Sequence, residues 1–346
     1  MAVPKARDRA RAAALVLAAA VLVLVAASSA RAEDALEPVT LVLEWTGIQP
    51  QHFGFWIAKE RGWYRDEGLD VTIKGSGGSA QAMQIVTGGQ AEFGNVASSA
   101  LVEAAGRSES PLRMVALFGQ RDSLSMAYFE SSGIKTPKDL EGRRIGFVPG
   151  SMPAILWPSF AKLNGIDTRK VTLVDWDYRS YYGIFGAKKV DVSGNFTLGS
   201  TGSWLFRQKG EIVHQFVLSD YMPLLGSGVI VRTDVIRNDP DRVRRFVRAT
   251  ARAWDYLASD PKDAVPEAAE IVHRVYDETP PADILAQYAY EMIPERMISP
   301  ATAGKPRGWS SPAEWDKMID LLKAYDPEMK RRPKASDVMT NEFVLD

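Results

Sequence analysis

HFGFWIAKERGWYRDEGLDVTI, residues 52–73, is a helix running into a strand. Phe53, Trp56 and Ile57 recur at the spacing of one helix face through Lys59, and Gly62 and Gly68 punctuate. LDVTI (69–73) then reads as a strand. Ahead of it, PVTLVLEW (38–45) alternates, is rich in β-branched residues and ends at Trp45, while Pro50 suits a first helical position. Strand, helix, strand is the unit of a parallel sheet with covering helices.

The same unit repeats outward. GSGGSAQAMQIVTGGQ (75–90) reads as glycine loop, helix and stop, AEFGNV (91–96) as a strand into the helix ASSALVEAAG, and LRMVALFG (112–119) as another strand. The alternation restarts with SMAYFE (125–130), the short helix TPKDLEG capped by Thr136, RRIGFV (143–148), and the helix after PGSMPA. After GSGVIVRTDVI (226–236) the chain turns almost wholly helical, in DPDRVRRFVRATARAWDYLASDP, KDAVPEAAEIVHRVY, PADILAQYAYEMI and SPAEWDKMIDLLKAY. The predicted fold class is α/β: two lobes, mainly parallel sheets with flanking helices, and a helical C-terminal end.

The N-terminal segment is set apart. Lys5, Arg7, Arg9 and Arg11 precede an apolar run from Ala12 to Ala27, and Ala30-Arg31-Ala32 offers a small-residue cleavage site before Glu33. The run falls short of the roughly 20 residues that span a bilayer. Residues 1–32 are therefore expected to be a cleaved signal, with the remainder periplasmic. The chain has no cysteine, which excludes disulfides and thiolate metal sites. A net charge of −1 with acids and bases interspersed excludes a phosphate-neutralising stripe, so nucleic acid is not an expected partner.

Ligands of open α/β sheets sit at the carboxyl ends of strands, over helix starts. GSGGSAQ offers Gly77, Gly78 and Ser79, with glycines for close backbone approach and a serine that can cap the helix or donate to a ligand. GNVASSA offers Asn95 and Ser98, and PGSMPA offers Ser151. Three such junctions split between two lobes suggest one ligand held from both sides. DWDYRSYYG (175–183) and SGNFTLGS (193–200) add Trp176, Asp177, Tyr178, Tyr182, Asn195 and Thr197 near strand ends. His214 and His273 lie in apolar contexts and read as structural. No metal-spaced His/Asp/Glu trio and no G-x-S-x-G elbow is present, so neither a metal nor a cofactor is expected.

The stretch 52–73, with GSGGSAQAMQIVTGGQAEFGNVASSAL (75–101), GIKTPKDLEGRRIGFVPGS (133–151) and LNGIDTRKVTLVDWD (163–177), resembles the NMT1/THI5-like group of periplasmic substrate-binding proteins of ABC importers. The resemblance covers about residues 38 to 260. It implies a type II binding-protein fold with two lobes joined by crossing strands, placed near Ser125–Phe129 and Gly228–Arg232. Lobe I is then 33–124 with 228–346, and lobe II is 125–227. The resemblance also implies that Trp45 stacks on a heteroaromatic ring and that His52 lies in the cleft.

The chain departs from the pattern in several features, among them GIQPQ (47–51) in place of the usual polar Asn/Thr loop after Trp45. The fungal pyrimidine-forming relatives carry a cysteine-rich segment, absent here. The acidic residue expected beyond VDVSGNF is replaced by Asn195-Phe196-Thr197. The expected function is a non-enzymatic import receptor, a monomer that binds a small heteroaromatic molecule or an aromatic or sulfonate anion and meets a permease transiently. Its ligand-binding set is Trp45, His52, Gly78, Ser79, Asn95, Ser98, Ser151, Tyr178 and Asn195. The alternative is an exported or pyrimidine-synthesis-like enzyme using His52, for which Glu44 and Asp177 are the carboxylates nearest in sequence.

Overall fold

A computed structural model describes residues 36–45, 49–177, 180–197, 201–276, 280–297 and 299–344. The expected signal segment and Tyr178 lie outside the described residues. Residues from Pro38 onward pack as one compact unit.

The described strands are β1 (Glu37–Leu43), β2 (Leu69–Gly75), β3 (Phe93–Ala97) and β4 (Leu112–Leu117), followed by β5 (Leu124–Phe129), β6 (Arg144–Phe147), β7 (Thr172–Asp175), β8 (Val192–Thr197) and β9 (Val213–Val217), then β10 (Ser227–Arg232). They form two five-stranded sheets, in the orders β2-β1-β3-β10-β4 and β7-β6-β8-β5-β9. β1 is covered on both faces, with Leu41, Val42 and Leu43 all buried, whereas β2 at the sheet edge alternates buried Leu69 and Val71 with exposed Asp70 and Thr72.

Each sheet contains one strand that runs against its described neighbours. β1 and β3 run parallel, and β10 runs antiparallel to both β3 and β4. β6 runs parallel to β7 and β8, and β5 runs antiparallel to β8 and β9. The reversed strands are the ones the chain enters on changing sheet: it leaves β4 for β5 through residues 118–123 and returns from β9 to β10 through 218–226. The sheets are therefore mixed, while their remaining directed strands agree as expected.

The opening stretch divides more finely than a single helix. Pro50–His52 form one tight turn, Phe53–Glu60 the α-helix, and Trp63–Asp66 a further short helix after Gly62, whose φ of 74° favours glycine. Phe53, Phe55 and Ile57 are fully buried because helices Pro240–Ser259 and Pro261–Val275 cover them. That packing requires Gly54: a Cβ there would stand 2.5 Å from the Trp254 indole. Two of the C-terminal helices thus cover the opening stretch, and helix Pro312–Tyr325 packs on both Ser98–Arg107 and Met152–Leu163.

Candidate functional site

A cleft of about 1430 Å³ lies where loops from both sheets converge. Glu44 and Trp45 follow directly after β1, and both face the cleft. After β2, Ser76 Oγ donates to the Leu43 carbonyl at 2.8 Å, which ties the glycine loop to the end of β1. Gly78 has φ 136°, ψ 166°, a conformation effectively closed to other residues, and it, rather than Ser79, is the N-cap of helix Ser79–Thr87. Ser79 Oγ is instead engaged within the protein: it accepts from the Ala97 N–H at 3.1 Å and donates its one proton to Glu44 Oε2 at 3.2 Å.

Glu44 is the centre of this wall. Its Oε1 accepts from Ser227 Oγ at 2.9 Å, on the incoming β10, and from Gln51 Nε2 at 3.3 Å. Burial pushes its carboxyl up to about 7, the neighbouring Asp122 charge adds to the rise, and the three side-chain donors hold it back. Asp122, in the connection 118–123, is raised to about 6, again chiefly by burial, with the Leu124 N–H at 2.6 Å pulling the other way. Beside it, Arg121 and Arg296 both pair with Asp220 of the returning connection, Arg296 at 2.8 Å. Arg296 also donates to Ser219 Oγ at 2.9 Å, so the two inter-sheet connections and helix Ala282–Arg296 share one polar knot.

The opposite wall comes from the second sheet. Asn195 Oδ1 accepts from the Val148 N–H at 2.9 Å and from Trp176 Nε1 at 3.1 Å, and its Nδ2 donates to Ser151 Oγ at 3.0 Å. It pins the loop after β6 in place. Because Ser151 accepts from Asn195, its own proton is available to a guest.

Of the expected residues, Trp45, Gly78, Ser79, Asn95, Ser151 and Asn195 line this one cleft. His52 and Ser98 do not. His52 is 1% exposed, sits beneath the lining, and is driven down to about 3 by burial, so it is neutral at ordinary pH. Neither ring nitrogen has a hydrogen-bond partner, and Glu44 at 4.0 Å is beyond hydrogen-bonding reach. Ser98 is fully buried and donates to the Leu225 carbonyl at 2.7 Å, fastening helix Ser98–Arg107 to the returning connection. Trp176 is core, 4% exposed, while Tyr182 reaches the lining.

The sequence reading did not assign Glu44, Asp122, Ser227 or Trp254 to the cleft. A charged residue closing the apolar run TLVL was a local signal for Glu44. Asp122 and Trp254 have none, because they reach the cleft only through the sheet crossing and a helix some 200 residues away.

Among the described residues no group of three or more His, Cys, Asp or Glu could hold a metal ion, and no helix is long and apolar enough to cross a membrane.

Among solved structures, the aliphatic sulphonate binding protein SsuA of Escherichia coli superposes with a TM-score of 0.66 at 15% identity, covering 87% of this chain and 91% of that one. The alkanesulfonate-binding protein SsuA of Xanthomonas axonopodis pv. citri, bound to MOPS, gives 0.64 at 17%, covering 88% and 99%. These likenesses establish the periplasmic binding protein fold. Among curated proteins, 4-amino-5-hydroxymethyl-2-methylpyrimidine phosphate synthase of Aspergillus parasiticus is 23% identical over 250 residues, 67% of this chain and 70% of that protein. Relatives in Saccharomyces cerevisiae and Legionella pneumophila carry the same enzyme name. The expectation of a non-enzymatic chain is thereby corrected: relatives similar over two thirds or so of this chain are named as enzymes, so turnover is not excluded. The NMT1/THI5-like family model matches residues 49–264, well over half of the sequence, and the chain belongs to that family.

Proposed function

We propose that this protein is an extracytoplasmic solute receptor that takes up one small molecule between Trp45 on the first wall and Ser151 and Asn195 on the second, and delivers it to an ABC permease. The observation that carries the reading is the cleft itself, lined by strand-end loops of two sheets whose connections pass beside it. A ligand touching both walls binds the closed arrangement better than the open one, and so biases a hinge at 118–123 and 218–226. The lobes accordingly comprise 33–124 with 228–346, and 125–227.

Turnover in the same cleft is the second reading, favoured by the enzyme names among the relatives. Glu44, which faces the cleft with a carboxyl near neutrality, suits proton transfer there better than the covered His52.

The test is native mass spectrometry of the folded protein purified from its own host. A retained small molecule, together with a melting temperature that falls once it is removed, supports the receptor reading. Protein that carries nothing and whose melting temperature is unmoved by the host's low-mass extract overturns it. A bound species converted on incubation selects the second reading.

A further inference from the structure

The first wall of the cleft is built of acceptors. Glu44 and Asp122 are carboxylates 9% and 5% exposed, and both line the cleft. Gln51 gives its amide nitrogen to the Glu44 carboxylate, and Asn95 gives Nδ2 to the Gly228 carbonyl at 3.4 Å. Donation to the Glu44 carboxylate and to the Gly228 carbonyl orients the two amides and leaves Gln51 Oε1 and Asn95 Oδ1 as buried acceptors with no donor. The start of helix Ser79–Thr87 would ordinarily attract an anion. Here the Ser79 hydroxyl at that helix start donates to the protein's own Glu44, which puts a carboxyl beside it. An incoming anion would meet Glu44, with Asp122 close enough to act on it. Arg107, Arg121 and Arg296 also line the cleft and are already paired, Arg107 with Asp326 and the other two with Asp220.

We propose that the ligand of this cleft is an organic cation with a flat amidinium or ammonium head, held between Glu44 and Asp122, whose remaining N–H groups go to Gln51 and Asn95. The proposal rests on the reading of the cleft as a small-molecule site, and it assigns the ligand a charge opposite to that of a sulfonate. Trp45, on the same wall, offers a face to the cation or to a ring that bears it. The groups that face Glu44 are Ser79, Gln51, Ser227, His52 and Asp122, and those acting on Asp122 include Arg296 and the Leu124 N–H. His52 stays neutral and brings no competing charge. Raising the pH from 6 to 8 ionises both carboxyls, so cation binding strengthens across that interval.

Calorimetric titration of the whole chain with three probes of one shape tests this: benzamidinium, benzamide and benzoate, each at pH 6 and pH 8. Benzamidinium is expected to bind at least tenfold tighter than benzamide at pH 8, with benzoate weakest and the benzamidinium preference smaller at pH 6. Glu44→Gln should lower benzamidinium affinity at least tenfold and leave benzamide within threefold, a split that a merely structural role would not produce. Asp122→Asn provides the same comparison if Glu44→Gln does not fold. Benzoate binding tightest, or a benzamidinium preference that survives both substitutions, overturns the proposal. Failure of all three probes to bind also overturns it; a small molecule retained from the native host would in that event leave the small-molecule reading standing.

Discussion

Gly54→Ala sets two known effects against each other at one position. Within a helix, alanine is favoured over glycine by about 1 kcal/mol, so propensity alone makes the substitution stabilising. The surroundings oppose it. The new Cβ would lie 2.5 Å from Cε2 and Nε1 of Trp254 and 2.7 Å from Cδ2, about 1 Å inside ordinary carbon contact distance. The indole has little room to retreat, because Trp254 is 1% exposed, stacks near Phe118 at 6.1 Å and meets Phe55 edge-on at 6.5 Å. Overpacking of a filled core costs roughly 1–3 kcal/mol, and it outweighs propensity. A net loss of up to about 2 kcal/mol is expected.

Gly183 supplies the control. It is also helical, in Tyr181–Gly186, with nothing within 4 Å of its built Cβ, so Gly183→Ala should stabilise by about 0.5–1 kcal/mol. Urea denaturation of the two variants, read at unchanged m, separates the effects. Stabilisation by both substitutions alike would refute the claim that Trp254 fixes residue 54 as glycine.

Trp45→Ala and Trp56→Ala should separate by phenotype. Trp45 lines the cleft, so its loss should cost about 1–3 kcal/mol of ligand affinity, on the scale of aromatic stacking, with little change in stability. Trp56, 6% exposed and edge-on to Tyr276 at 5.9 Å, should cost about 3–5 kcal/mol of stability through the cavity it leaves. Denaturation and titration of both variants check the pair, and a Trp45 variant that unfolds while binding normally would place Trp45 in the core.

Glu103 predicts a pH effect. Burial raises its carboxyl to about 7, Asp326 and Glu328 push the same way, and Arg107 opposes them. With the folded value above the ordinary 4.5, the contribution is complete below about 4.5 and is lost as pH rises through about 7. At about 1.4 kcal/mol per unit the ceiling is about 3 kcal/mol. Glu103→Gln should therefore lose less stability than the native chain between pH 5 and pH 8. Parallel urea midpoints for the two proteins would contradict this.

The fold was legible because its signals are local. The aromatic spacing of 53–57, the left-handed Gly62 and the alternation of Leu69 and Val71 each report their own element, and all agree with the two-sheet architecture. The cleft was legible where a residue's place follows from a strand end, as for Trp45, Asn95 and Ser151. It was not where depth decides. His52 and Ser98 stand in the expected loops, yet burial places both behind the lining, and nothing in a single sequence distinguishes the two layers. Ser79 shows the same limit at the level of one hydroxyl, which Glu44 and the Ala97 amide engage before any ligand arrives.

On the proposed function, one small molecule is held between the Trp45 wall and the Ser151–Asn195 wall. Filling the gap tests it directly. Ser151 has φ −72°, ψ 154°, a backbone that any residue adopts, and its side chain faces the cleft at the head of helix Met152–Leu163. Native mass spectrometry of wild type and Ser151→Trp, prepared side by side from the native host, should find the small molecule on the wild type alone, with both proteins folded and the variant's stability within about 1 kcal/mol. The same small molecule retained in equal amount by both proteins would contradict the account.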